Sequence, residues 1–141
     1  MDESSTTGAR VLVPGVATGE VLVLDEPLSF WGGLDPETGV LIDAHHPQVG
    51  SSLAGRVLVM PSGRGSSSSS YVLAEAIRAG TAPVAVVLGA ADAIVALGAI
   101  VAAELYGIAV PVVVSADPAL ATGSTVTVRA EAGGRVDISP G

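Results

Sequence analysis

Residues 56–79 read RVLVM, then PSGRGSSSSS, then YVLAEAIRA. The first five residues predict a short buried strand. The last nine place Leu73, Ala76 and Ile77 on one face and therefore predict an amphipathic helix over residues 71–79. The chain thus passes from a strand into a helix through a small loop that is rich in glycine and serine.

Such a loop is suited to holding an anionic group. The first N–H groups of a helix have no partner within the helix, and the helix dipole favours negative charge there. Gly63 and Gly65 allow the backbone to approach a ligand, and Arg64 offers a forked donor for a carboxylate or a phosphate. The loop therefore predicts anion binding with a serine hydroxyl close at hand.

Further strands and a second helix are predicted on both sides of this segment. The order of elements is β-rich at first, then β-α-β-α-β, then β-β, which is typical of an α/β domain with parallel strands in its middle. We expect residues 1–9 to form a disordered tail and residues 10–141 to form a single domain. The predicted strands cover residues 10–13, 20–24 (after a Pro14-Gly15 turn), 39–43, 84–88, 110–114, 125–129 and 135–138, and the second helix covers residues 91–106.

Composition excludes several classes of protein. The chain has 141 residues, a formal net charge of −8, no Cys and only Arg as its basic residue. With no basic run we expect no nucleic-acid partner, and without Cys the chain can form no disulfide and no thiolate metal ligand. Asp92 and Glu104 interrupt the apolar run 84–114 before it reaches the roughly 20 residues of a membrane span. With no apolar signal region in residues 1–8, we expect a cytoplasmic protein.

The serine run admits other interpretations. A flexible Ser/Gly linker is the simplest, but the position between a strand and a helix argues against it. A nucleotide site is a second, although the loop lacks the Lys of a P-loop and has Ser68 where a dinucleotide fingerprint has Gly. A serine hydrolase is a third; it would need His45 or His46 as its base, and no Gly-x-Ser-x-Gly elbow is present.

Two more segments carry candidate residues. His45 and His46 are neighbours, and neighbours on an extended chain point to opposite sides, so packing or loop roles are favoured over a shared metal. One of the two histidines could still reach a substrate carboxylate. The loop 27–36 holds both Phe30 and Trp31 before two glycines. It is either a packed surface loop or a docking edge or pocket wall, because loops often carry functional sites.

Four motifs resemble one family in order and spacing: PLSFWGGLDPETG at 27–39, IDAHHP at 42–47, GRVLVMP at 55–61 and GRGSS at 63–67. The chain resembles the small, swivelling-domain subunit of the aconitase X family from about residue 10 to residue 128. The resemblance implies the swivelling β/β/α domain of the aconitase superfamily, an α/β fold with a barrel-like sheet and flanking helices. It also implies a hydro-lyase that dehydrates a small hydroxy acid and is active only with a large subunit.

The resemblance further implies that the large subunit carries the cysteines and the iron or iron–sulfur centre, and that this chain binds no metal or cofactor. Known substrates of the family are cis-3-hydroxy-L-proline and mevalonate 5-phosphate. We expect cis-3-hydroxy-L-proline here, since a Lys-free chain rich in Ala, Gly and Arg is typical of a GC-rich bacterial genome.

The resemblance also assigns roles to residues. The superfamily uses a serine of a Gly-x-Gly-Ser-Ser loop as its base, thought to act as an alkoxide, and this serine corresponds to Ser66. Ser68 stands where classical aconitases have an Arg, so Arg64 or the large subunit would have to hold the substrate carboxylate. The expected substrate-binding residues are Gly63, Arg64, Gly65, Ser67 and Ser68, and the expected pocket or subunit contacts are Ser29, Phe30, Trp31, Gly32, Gly33, Asp35 and His46.

Two rival functions remain. Residues 98–111, GAIVAAELYGIAVP, resemble the phosphohistidine swivelling domains of phosphotransfer enzymes, but Leu97 and Gly98 stand where those domains need a His. The second rival is a non-catalytic binding or regulatory module, which would capture an anion in the serine loop but would not catalyse a reaction.

Overall fold

The computed structural model describes residues 8–141, so all but the last two residues of the expected tail lie outside the described residues. The elements follow the predicted order, except that the strand expected over residues 39–43 is absent and the aromatic loop contains a short turn over Phe30–Gly33, named α1, in which Trp31 and Gly32 have non-helical backbone angles. They are β1 (Arg10–Val13), β2 (Gly15–Val23), α1 (Phe30–Gly33), β3 (Val57–Met60), α2 (Ser68–Ala79), β4 (Ala85–Leu88), α3 (Ala93–Tyr106), β5 (Val112–Val114), β6 (Thr125–Ala130) and β7 (Val136–Pro140).

The strands form one curled, seven-stranded sheet in the order β1-β5-β4-β3-β2-β6-β7. Strands β2, β3, β4 and β5 are parallel, as predicted, whereas β1, β6 and β7 are antiparallel to their neighbours. The long strand β2 belongs to both halves of the sheet. Its first six residues pair with β6 and its last three pair with β3, so β2 turns the sheet into a half-barrel.

The central strands are apolar on both faces because both faces are covered. Leu58 and Met60 of β3 pack on the side of α2 and α3, whereas Val57 and Val59 pack against the β6–β7 hairpin. Burial on both faces explains why these strands are continuous apolar runs without alternation. The result is a three-layer β/β/α domain with one helical layer, the architecture that the family resemblance implies.

The two long helices end as the sequence predicts, at Gly80 and Gly107 in the left-handed conformation. Their starts differ from the prediction. Helix α2 begins at Ser68, three residues earlier, because the serines at its first turn find hydrogen-bond partners there. Helix α3 begins at Ala93, after Asp92 caps it. No helix within residues 8–141 is long and apolar enough to cross a membrane.

Two strand predictions were wrong in detail. The expected turn at Pro14-Gly15 is short, and β2 begins at Gly15 because the ladder with β6 extends that far. Residues 39–43 do not form a strand. Leu41 and Val40 make only isolated bridges with Leu34 and Ser52, since this segment lies outside the sheet and has no continuous strand beside it.

Candidate active site

The serine loop lies at the carboxyl edge of the parallel strands, where β3 ends at Met60. Ligands of open α/β sheets commonly bind at this edge, outside the strand ends. The loop is attached to the chain segment that follows β2. Gly63 forms a parallel bridge with Leu28, and the Arg64 amide donates to the Leu28 carbonyl over 3.2 Å.

Ser66 lies two residues before Ser68, the first residue of α2, and is half-buried. Its Oγ accepts a hydrogen bond from the Ser68 amide at 3.2 Å, and its carbonyl accepts one from the Ser69 amide at 2.9 Å. The hydroxyl is thus held at the helix N-terminus, where amide donors and the helix dipole stabilise negative charge on oxygen. Gly65, the residue before Ser66, has a φ of +83°, a backbone conformation that residues with a side chain rarely adopt.

Asp92 supports the loop from the neighbouring helix. Its Oδ1 accepts from the amides of Ile94 and Val95 at 2.9 and 3.0 Å and so caps α3. The other carboxylate oxygen lies against Gly63, where a side chain would have no room. In the sequence, Asp92 stands out only as an interruption of an apolar run. An Asp directly before an apolar helical segment is itself an N-cap signal that would have identified it.

Half of the predicted aromatic loop packs on the serine loop. Ser29 and Trp31 contact Ser69 at the start of α2: the Ser29 and Ser69 hydroxyls are 3.0 Å apart, and the Trp31 amide donates to Ser69 Oγ at 3.1 Å. Phe30 is buried in the core on the helix side, whereas the Trp31 side chain is 59% exposed. The fold therefore brings together two motifs that lie more than 30 residues apart in sequence.

Other residues of this loop point elsewhere. Gly32 is exposed and Gly33 is buried against Leu28. Asp35 belongs to a turn whose next residue, Pro36, accepts a hydrogen bond from Thr81 Oγ1 at 2.6 Å. Thr81 lies two residues after Ala79, the last residue of α2, and the twelve residues of this helix span about 18 Å. Asp35 is thus at the opposite end of α2 from Ser66, so residues 29–35 cannot all line one pocket.

His46 has a structural role in the described chain. It is 4% exposed, its Nε2 donates to the Glu26 carbonyl at 3.2 Å, and its Nδ1 accepts from the Gln48 amide at 3.1 Å. Because Nδ1 accepts and Nε2 donates, the histidine is the tautomer protonated on Nε2 and has no free ring nitrogen. The pocket or subunit contact expected at His46 stays a prediction, which would have to be made without its ring nitrogens, and His45 is exposed.

Arg64 is the cation available to this site. Its side chain is exposed, and within residues 8–141 its guanidinium has no hydrogen bond or ion pair. Arg78, in the last turn of α2, is occupied by Glu75 through hydrogen bonds of 2.8 and 2.6 Å. Those bonds lower the pKa of the Glu75 carboxyl and raise the pKa of the Arg78 guanidinium. The pair is exposed, so solvent screens its effect on stability.

The donor set of the described residues does not suit an iron or iron–sulfur centre. The sequence contains no Cys, and no three His, Asp or Glu side chains of residues 8–141 lie close enough together to hold a metal ion. The site therefore consists of hydroxyls, helix amides and one arginine.

A half-barrel sheet with one helical layer, and a serine loop at its carboxyl edge, define a swivelling domain of the β/β/α type. A family model described as the aconitase X swivel domain matches residues 6–138. The chain belongs to the aconitase X family and comprises its swivel domain.

Relatives fall into two sizes. The chain is 52% identical over 103 residues to cis-3-hydroxy-L-proline dehydratase of Pseudomonas aeruginosa, covering 73% of this chain but 18% of that protein. It thus spans under a fifth of the length of this curated relative. It is also 43% identical over 125 residues to the phosphomevalonate dehydratase small subunit of Thermococcus gammatolerans, covering 88% of this chain and 91% of that subunit.

A solved structure shares the fold. The crystal structure of holo-form aconitase X from Thermococcus kodakaraensis matches with a TM-score of 0.80 and 44% identity, covering 92% of this chain and 95% of that chain. The swivelling β/β/α fold expected from the sequence is thereby confirmed.

Proposed function

We propose that this chain is the small subunit of a two-subunit dehydratase of the aconitase X type, with Ser66 as the catalytic base. One observation supports this most directly: the half-buried Ser66 Oγ receives an amide hydrogen bond at the start of α2. A relative of the same size is named as a small subunit, which supports a separate large subunit as the partner.

The base would work on a carbon next to a substrate carboxylate. Ser66 Oγ takes the proton, the C–H electron pair forms the new double bond, and hydroxide leaves from the adjacent carbon. A serine hydroxyl is a weak base, so its deprotonated form must be stabilised, and the Ser68 amide and the α2 dipole do this. Lewis-acid chemistry at the departing hydroxide is assigned to the large subunit, since the donors of this chain do not fit an iron centre.

Arg64 would bind the substrate carboxylate, with the backbone of Gly63 and Gly65 and the hydroxyls of Ser67 and Ser68 beside it. Ser67 and Ser68 are exposed and Gly63 is half-buried at the same edge. The free guanidinium suits a forked contact with a carboxylate.

Arg64→Gln is expected to raise KM by about 10-fold to 100-fold, with a smaller change in kcat, because a charge-assisted bond to the bound substrate is lost. Steady-state kinetics of the reconstituted pair measure this. Arg129→Gln is the control, because Arg129 pairs in register with Val16 near the amino-terminal end of β2, away from the site. An unchanged KM in Arg64→Gln would show that groups other than Arg64 bind the substrate carboxylate.

Two substrates are candidates. Identity of 52% with cis-3-hydroxy-L-proline dehydratase supports cis-3-hydroxy-L-proline, whereas similar chain length supports the phosphomevalonate dehydratase small subunit and mevalonate 5-phosphate. The test is to assay the reconstituted pair on both compounds under the same conditions. A lone chain that binds carboxylates, recruits no large subunit and turns over neither compound would instead indicate a non-catalytic module.

The partner surface would surround the serine loop. Trp31 is 59% exposed and Tyr71 is 75% exposed. The Trp31 amide bonds to Ser69, and Tyr71 follows Ser69 by two residues. Exposed aromatic side chains of this kind are common anchors at protein interfaces. Tyr106 is exposed as well, so three of the four aromatic residues of the chain lie at the surface.

Trp31→Ser is expected to raise the Kd for the large subunit by about 30-fold, the usual effect of removing an aromatic anchor of about 2 kcal/mol. Isothermal titration calorimetry with the purified large subunit measures it. The matched control is Val16→Ser: Val16 is also 59% exposed but lies at the amino-terminal end of β2. Equal effects of the two changes would place the interface elsewhere.

A further inference from the structure

Three residues form a closed ring of hydrogen bonds beside the proposed base. The Trp31 amide donates to Ser69 Oγ at 3.1 Å, and the Ser29 hydroxyl donates to the Trp31 carbonyl at 3.0 Å. The Ser29 and Ser69 oxygens are 3.0 Å apart. Because the one hydrogen of Ser29 is used by Trp31, Ser69 must donate to Ser29. Each hydroxyl in this ring, which we call the hydroxyl ring, donates once and accepts once.

The hydroxyl ring is connected to Ser66 through the backbone. Ser69 is 3% exposed, and its amide donates to the Ser66 carbonyl at 2.9 Å. On the other side of Ser66, the Arg64 amide donates to the Leu28 carbonyl at 3.2 Å. The segment 28–31 thus holds the serine loop at two points, one before Ser66 and one after it.

We propose that Ser29 and Ser69 are positioning residues, which hold the Ser66 hydroxyl in the geometry required for proton abstraction. This inference rests on the function proposed above. Neither residue needs to touch the substrate. Proton transfer depends steeply on geometry, and a displacement of about 1 Å can lower a rate about 100-fold. The serine loop has little regular structure of its own, so contacts from a second segment determine where Ser66 lies.

Ser69→Ala tests this role, and Ser70→Ala is its matched control. Both serines are buried in the first turn of α2, but Ser70 donates to the Ile94 carbonyl at 2.6 Å and so contacts α3 instead of the segment 28–31. In the reconstituted enzyme, Ser69→Ala is expected to lower kcat at least 10-fold with KM changed less than twofold. Ser70→Ala, which removes an equally buried hydrogen bond, is expected to keep kcat within about twofold of wild type.

Ser29→Ala gives a second, milder test, because Ser29 is only half-buried and its removal is less disruptive to folding. The double variant Ser29→Ala/Ser69→Ala is expected to lower kcat no further than Ser69→Ala alone, since both changes open the same hydroxyl ring. Losses that multiply, or an equal loss of kcat in Ser69→Ala and Ser70→Ala, would overturn the proposal.

Trp31 is the only tryptophan of the chain, so its fluorescence reports on the hydroxyl ring without any assay of activity. Its anisotropy in the isolated small subunit is expected to fall in Ser69→Ala and to stay unchanged in Ser70→Ala. If the anisotropy of Ser69→Ala falls but its kcat stays at the wild-type value, the hydroxyl ring does not position the base and the proposal is overturned. Full turnover in a Ser66→Ala enzyme would instead refute the proposed function, whatever the fluorescence shows.

Discussion

Ser66→Ala is expected to lower kcat of the reconstituted dehydratase by about 1,000-fold, within the range of losses seen when a general base is removed. The methyl group of Ala cannot accept a proton, and among residues 8–141 no other hydroxyl accepts a hydrogen bond from the Ser68 amide. Steady-state and single-turnover assays on both candidate substrates measure the loss. Binding of the large subunit is expected to stay within a few-fold of wild type, because one small hydroxyl is removed.

Ser62→Ala is the control for this experiment. Ser62 is in the same loop and is half-buried, and within residues 8–141 its hydroxyl makes no hydrogen bond. It is expected to keep kcat within a few-fold of wild type. If Ser62→Ala inactivates the enzyme and Ser66→Ala does not, the base has been assigned to the wrong serine.

Gly98→Ala is expected to destabilise the domain by about 2 kcal/mol. A Cβ at this position would lie 2.8 Å from the Ser70 carbonyl oxygen and 3.1 Å from Cβ of Leu73, so α3 could no longer approach α2. Overpacking of this kind costs about 1–3 kcal/mol, whereas helix propensity alone favours Ala over Gly by about 1 kcal/mol. A clash with a backbone oxygen cannot be relieved by rotating a side chain, so the packing cost dominates.

Urea unfolding followed by circular dichroism measures this change in the free energy of unfolding. Gly133→Ala makes the same chemical change at a position where nothing lies within 4 Å of the added Cβ. We expect it to alter stability by less than about 0.5 kcal/mol, as exposed substitutions usually do. If Gly98→Ala stabilised the domain, helix propensity would be the dominant effect and the two helices would not be in tight contact.

The local elements of the site could be predicted because they depend on short-range chemistry. The apolar strand before Pro61 and the small residues after it indicate a strand, a loop and a helix, and they place Ser66 near a helix N-terminus. The predicted start of α2 was three residues late. Serine has a modest helix propensity, and its preference for the first turn depends on partners that lie elsewhere in the chain.

Residue order and periodicity were enough to specify an α/β domain with parallel central strands and a serine at the mouth of a helix, because hydrophobic spacing and helix ends act over a few residues. Contacts between distant segments required the fold. The sequence could not show that Ser69 bonds to Ser29 and Trp31, that the Asp92 carboxylate lies against Gly63, or that the His46 ring bonds to the Glu26 carbonyl. Such contacts depend on how the sheet curls and how α2 packs on α3, and these are set by the summed burial of many apolar side chains and not by any one motif.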